Sequence, residues 1–257
     1  MKRHLLSAAL VLFATASVFA QSEKTTVIIK KNDSNEKITI VERIFQSKLN
    51  QTLPDLYYGY LDVLDGAFGP KSDVPLRSSS FEWGTYNQHT VFMTNDGHFG
   101  MSWGFGISNS YNYFHRDEVM RLDDDHETYF QPLNVYSAED GNGPINNIAH
   151  RSFLRYWSFR LPLMLQVQGS LNDHKMAFAA GAELECRVGV RSFARYGGKK
   201  HLVTDGVNYK PVGVNALFAL SSDNSVFFVR VGLTDMFTSP NHDDFYQMCM
   251  GFGFNFD

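Results

Sequence analysis

A chain of 257 residues with a formal net charge of −4 is long enough for one medium domain and has no basic excess that would draw it to nucleic acid. Its 14% aromatic content, with 22 Phe and 12 Tyr, exceeds what an ordinary core uses, and after residue 20 no apolar run approaches the roughly 20 residues of a spanning helix. If the chain lives in a membrane it must cross with strands, because only helices and closed sheets satisfy their backbone in lipid.

The N-terminus opens with Lys2 and Arg3, continues in an apolar run from Leu5 to Phe19, and reaches Val18-Phe19-Ala20. This is the pattern of a secretory signal peptide over residues 1–20, cleaved after Ala20. A membrane anchor is the rival reading, but the run is short for one. Gln21 stands where a lipoprotein would need cysteine. Removing Lys2 and Arg3 from the 23 basic residues leaves 21 against 27 acidic ones, a net −6. Residues 21–55 then form a polar N-terminal segment, expected in the periplasm. Two β-prone runs, Thr25–Lys31 and Lys37–Arg43, flank Asn32-Asp33-Ser34-Asn35 and fit either a small hairpin or a mobile tail.

From residue 56 to 257 the pattern has period two. Strands are expected at 56–66 and 80–94, the second impure because Asn87 and His89 share a face with Trp83 and Val91. The run 98–108 sets Phe99, Met101, Trp103, Phe105 and Ile107 against Gly and Ser. The run 157–168 sets Trp157, Phe159, Leu161, Leu163 and Leu165 against Ser158, Arg160 and Gln166. Over 176–191 one face carries Phe178, Leu184, Cys186, Val188 and Val190. The other carries Ala177, Gly181, Glu183, Glu185, Arg187, Gly189 and Arg191. Strands at 212–221, 226–234 and 247–256 complete eight. The polar face is also the small, glycine-rich face. A narrow eight-stranded interior suits such residues, whereas the Phe, Trp and Leu of the other face would overfill it and suit acyl chains. That favours a closed antiparallel transmembrane β-barrel over a soluble barrel with an apolar interior. The connections agree: short turns such as Asn95-Asp96-Gly97 and Ser222-Asp223-Asn224 alternate with long segments, the longest at 115–152. Cys186 and Cys249 fall on opposite faces of strands that are not neighbours, so no disulfide is expected.

The ending Gly251-Phe252-Gly253-Phe254-Asn255-Phe256-Asp257 resembles the signal by which barrel-insertion machinery recognises outer-membrane clients, which makes Phe252, Phe254 and Phe256 the candidate insertion signal. On Lys210-Pro211-Val212-Gly213-Val214-Asn215 and Arg160-Leu161-Pro162-Leu163-Met164-Leu165, the chain resembles the PorT-like outer-membrane β-barrel proteins of Bacteroidetes-type bacteria. Asp257 after the last aromatic departs from the pattern. The resemblance implies a barrel in the outer membrane of a Gram-negative envelope and assigns no functional residue.

Glu183, Glu185, Arg187 and Arg191 lie on one side of one strand, and Glu82, Arg160 and Arg230 fall on the same inward side of theirs. Confined charges should pair, so the expectation is a static plug of paired ions; an ion path is the other reading. Asp123-Asp124-Asp125-His126-Glu127 offers oxygen ligands without the alternating spacing and glycine of a calcium loop, and reads as solvated surface, as does His242-Asp243-Asp244. Ser152, His150, Glu139, Asp140, His115 and Asp117 supply the residue types of a lipid-acting hydrolase without a diagnostic spacing. The expected function is therefore structural or interactive, with no catalysis, cofactor or metal. Its partners would be outer-membrane lipid, the insertion machinery, and an extracellular or periplasmic protein; a lipid-modifying enzyme or a small passive pore is the alternative. In this register Phe254→Asp should block assembly, and the inward change Gly253→Ala should be mild.

Overall fold

In the computed structural model the described residues are 27–30, 39–42, 51–69, 76–94, 97–114, 118–122, 128–132, 151–171, 174–196, 199–238 and 245–256. Residues 1–20, expected as a signal peptide, the acidic run 123–127 and residues 239–244 lie outside them. In the N-terminal segment β1 (Val27–Lys30) pairs antiparallel with β2 (Thr39–Glu42), the hairpin that the two β-prone runs suggest.

Eight strands close a barrel: β3 (Leu56–Leu64), β4 (Phe81–Phe92), β5 (Phe99–Tyr113), β8 (Arg151–Leu171), β9 (His174–Tyr196), β11 (Val212–Ser222), β12 (Ser225–Gly232) and β13 (Tyr246–Phe254). Each is antiparallel to its neighbours. The ring runs β8-β9-β11-β12-β13-β3-β4-β5 and returns to β8. Closure leaves no open edge in the ring, which alternation along every strand requires if one face is to stay buried. The alternation appears directly in burial. Along β13 the inward Cys249 is 1% exposed, while the outward Phe252 and Phe254 are 49% and 50% exposed. Asn87 and His89 do face outward, beside Phe105 and Trp103 of β5. Cys186 and Cys249 are free, on strands with β11 and β12 between them.

The short turns gather at one end and the long connections at the other. Among the described residues the long end carries further strands. The connection after β5 contains a hairpin, β6 (Glu118–Leu122) with β7 (Thr128–Pro132), and β10 (Lys199–Thr204) pairs with the upper part of β9. These pieces fold over the mouth around Val63, Phe114, Leu154, Val190, Phe237 and Phe245, all buried. At the short-turn end the chain enters through Gln51–Asp55. The amides of Thr52 and Leu53 donate to Gln88 Oε1 at 3.0 and 2.8 Å, which seats Leu53 in a lower apolar cluster with Met164, Leu217 and Phe228.

One register expectation fails. The β8–β9 ladder pairs Trp157 with Val188 but Arg155 with Arg191, so Gly189 and Val190 together face Tyr156. Gly189 sits at φ +62°, a left-handed conformation that only glycine adopts without strain. The extra residue inverts everything above it. Val190, Ser192 and Ala194 turn inward and are buried, and Arg191 turns outward and is exposed. Arg191 is therefore not a lumen residue. Gly189→Val is expected to cost about 1–2 kcal/mol, the price of a left-handed β-carbon, and Gly189→Asn clearly less. Urea midpoints of the detergent-folded protein measure both; a valine variant as stable as the parent would mean that the bulge is not held.

Candidate functional site

Six of the predicted charges meet in the middle of the lumen. Glu82 enters from β4, Arg160 from β8, Glu183, Glu185 and Arg187 from β9, and Arg230 from β12. All are buried. Glu82, Arg160, Glu183 and Arg230 each have a small inward neighbour on their own strand, Gly84, Ser158, Gly181 and Gly232, which leaves room for long side chains to cross the interior.

Arg160 is the centre and is 0% exposed. Its Nη1 donates to Glu183 Oε1 at 2.7 Å, its Nη2 to Glu82 Oε2 at 2.9 Å and to Glu185 Oε1 at 2.8 Å, and its Nε to Ser108 Oγ at 2.9 Å. Arg230 Nη2 donates to Glu82 Oε1 at 2.5 Å, and Arg187 Nη2 to Glu185 Oε2 at 2.8 Å. Three carboxylates thus face three guanidiniums and the layer is neutral. Neutral donors fill the remaining lone pairs. Tyr57 OH and Ser110 Oγ reach Glu82 at 2.6 and 2.7 Å, Tyr86 OH reaches Glu183 at 2.7 Å, and Ser158 Oγ reaches Glu185 at 2.7 Å. Asn215 Nδ2 bridges Glu183 and Glu185 at 3.1 and 3.4 Å. Buried ions tolerate desolvation only when paired and hydrogen-bonded, and within this layer Arg187 Nε alone is buried without a hydrogen-bond partner.

Sequence reasoning missed the two tyrosines and the asparagine. Their signal was positional: Tyr86 lies two inward steps from Glu82 on β4, and Asn215 is the direct cross-strand neighbour of Glu183. Above the ions, Gln247 accepts from Tyr156 OH and donates from Nε2 to Asn112 Oδ1 at 2.9 Å. The upper and lower apolar clusters then close both ends.

The chemistry this arrangement supports is static. Each of the three layer carboxylates is saturated by donors, so none of the three is free to act as a general base. At the rim, Ser152 is buried and its hydroxyl donates to the Glu118 carbonyl. His115, Asp117, Glu139, Asp140 and His150 lie outside the described residues. Among the described residues no cluster of three or more His, Cys, Asp or Glu side chains has the geometry to hold a metal ion. The three terminal aromatics Phe252, Phe254 and Phe256 all point outward. Gly253, in contrast, has no room for the mild substitution expected of it: an added β-carbon would stand 2.3 Å from the Leu56 carbonyl oxygen and 2.5 Å from Pro54 Cβ.

No family model matches the chain, and no curated protein does. Among solved structures the fold is similar to that of Ail, the attachment invasion locus protein of Yersinia pestis, at 12% identity and a TM-score of 0.30, over 77% of this chain and 93% of that one. At that score the likeness adds nothing to what the strand topology already shows.

Proposed function

We propose that the chain is an outer-membrane β-barrel protein with a structural or interaction role, whose lumen is a neutral ion plug rather than a conduit, and which carries out no catalysis. The observation that carries this reading is the inversion of the usual soluble pattern. Arginine and glutamate fill the interior, while Trp103, Leu163, Leu165 and Phe252 stand 42–55% exposed on the outside. Such an exterior is far larger than the apolar patches that soluble monomers expose, and lipid is the solvent that suits it. The dimensions agree. Trp157 to Val167 is about 33 Å of strand at ~3.3 Å per residue. At a tilt of about 40° that spans an apolar band of about 25 Å.

The finer reading places the protein with the PorT-like barrels of Bacteroidetes-type bacteria, on the strand motifs at 160–165 and 210–215 and the terminal aromatic strand. Phe252, Phe254 and Phe256 are then read by the insertion machinery, and the long-loop end, held outside the cell, is the surface offered to a partner. The precursor reaches the membrane with residues 1–20 removed.

Two measurements on the same preparation test this. Cell fractionation should place the protein in the outer membrane with heat-modifiable gel migration, and planar-bilayer recordings should show negligible conductance. Recovery as a soluble periplasmic protein sinks the membrane reading. Stable, discrete, ion-selective channels from the unmutated protein sink the plug and make a small pore the function.

A further inference from the structure

The bulge at Gly189 has a consequence on the outside of the barrel. Above it, outward positions on β8 and β9 pair arginine directly with arginine: Arg155 opposite Arg191, and Arg151 opposite Arg195. Between these two pairs lies an aromatic one, Phe153 opposite Phe193, with ring centroids 5.2 Å apart. β10 adds Lys200 beside Arg195 in the ladder, its Nζ 3.7 Å from the Phe193 ring centroid and 5.2 Å from that of Phe153. On the other side Arg155 lies 5.2 Å over the Tyr111 ring.

Like charges placed directly opposite across a ladder are destabilising, and here two such pairs are stacked one above the other. Among the described residues no carboxylate pairs with them. Arg151, Arg191 and Arg195 are exposed, and among the described residues their side chains make no ion pair or hydrogen bond, while that of Arg155 has Asn109 Oδ1 at 3.3 Å. Burial against the rings and the neighbouring Arg155 guanidinium hold the Lys200 amine below the usual ammonium range. The inside of the barrel shows the opposite practice, with every acid matched to a base. An unmatched array, with Lys200 and Arg155 seated on rings, is the pattern expected where the counter-charge arrives with a ligand.

The position identifies that ligand's class. Arg155 is two residues above Trp157 on the same outward face, and Arg191 stands just above Val188, so the array begins where the apolar band ends. A molecule bound there has its apolar part beside Trp157 and Val188 and its anionic part among guanidiniums, whose planar forks suit phosphate oxygens. We propose that Arg151, Arg155, Arg191, Arg195 and Lys200 form a docking site for a phosphate-bearing lipid of the outer leaflet. This rests on the membrane reading above.

The test uses full-length protein purified in zwitterionic detergent and titrated with phosphatidic acid, phosphatidylcholine, inorganic phosphate and heparin, with retained ligand read by native mass spectrometry. The parent should retain phosphatidic acid in preference to phosphatidylcholine. Arg155→Gln with Arg191→Gln should weaken that retention about tenfold or more, and Lys175→Gln, at the opposite end of the barrel, should leave it unchanged. Heat-modifiable migration of each variant reports folding separately. Should the double variant fail to fold, Arg191→Gln alone replaces it, since Arg191 has no hydrogen bond to lose. Retention undiminished in a folded variant overturns the proposal. So does binding of heparin or inorganic phosphate as tight as that of phosphatidic acid, which would make the array a site for soluble anions. Neither result touches the membrane reading, which fails only on fractionation.

Discussion

Arg160→Ala is expected to destabilise the barrel by about 3–5 kcal/mol, the usual cost of stripping one member from a buried ion cluster. The residue is 0% exposed and contacts Glu82, Glu183 and Glu185 together. Alanine would leave three carboxylates facing only Arg187 and Arg230. Arg230→Met alone should behave similarly on a smaller scale, because it takes one of the two guanidinium partners of Glu82 and unbalances the layer. Joining Arg230→Met with Glu82→Gln removes one charge of each sign and should cost less than either single change. Urea midpoints of the refolded protein, followed by heat-modifiable migration, give the comparison. A double variant as damaged as the sum of its parents would mean that the charges do not act as one neutral layer.

The second large effect belongs to the outside. Leu163→Arg places a cation in the middle of the apolar band, where Leu163 is 55% exposed between Leu161 and Leu165. If lipid lies there the cost is about 2–4 kcal/mol; if water lies there the change is nearly neutral. Phe254→Asp sits near the edge of the band, so its cost in stability should be small. Assembly in cells should nevertheless fail if the terminal aromatics are read during insertion, and Phe254→Leu should assemble. Gly253→Ala cannot serve as the mild control, because its methyl meets the backbone of β3. Loss of both stability and assembly in Leu163→Arg, with loss of assembly alone in Phe254→Asp, separates lipid contact from recognition.

The eight strands were legible because a closed barrel with a small polar inside and a large apolar outside imposes a two-residue rule, and each strand obeys it for long enough to be seen. The interior charges were legible for the same reason: Glu82, Arg160, Glu183, Glu185 and Arg230 share the phase of the glycines. Arg191 was misplaced because Val188-Gly189-Val190 reads the same way with or without a bulge. The clue stood further on. An unbroken register would have driven Arg191, Phe193 and Arg195 into a narrow lumen and left Ser192 and Ala194 outside, against the size rule that holds elsewhere. The β6–β7 hairpin and β10 escaped notice because they pack over the mouth without an alternating lipid face. The tyrosines Tyr57 and Tyr86 became visible only once closure fixed which strands face each other.

The neutral layer also sets an order on assembly. Arg160 and Glu185 are cross-strand partners in the contiguous β8–β9 hairpin, so they can meet as soon as that hairpin forms. Glu82 and Arg230 lie 148 residues apart, on strands with β13 and β3 between them, and meet only when the ring shuts. Until then the Glu82 oxygen that meets Arg230 must keep its water, and a half-built sheet cannot dry its own interior. The ion layer thus acts as a latch, engaged last and released first. For Arg230→Met the lost stability should accordingly appear as faster unfolding, with the rate of folding little changed.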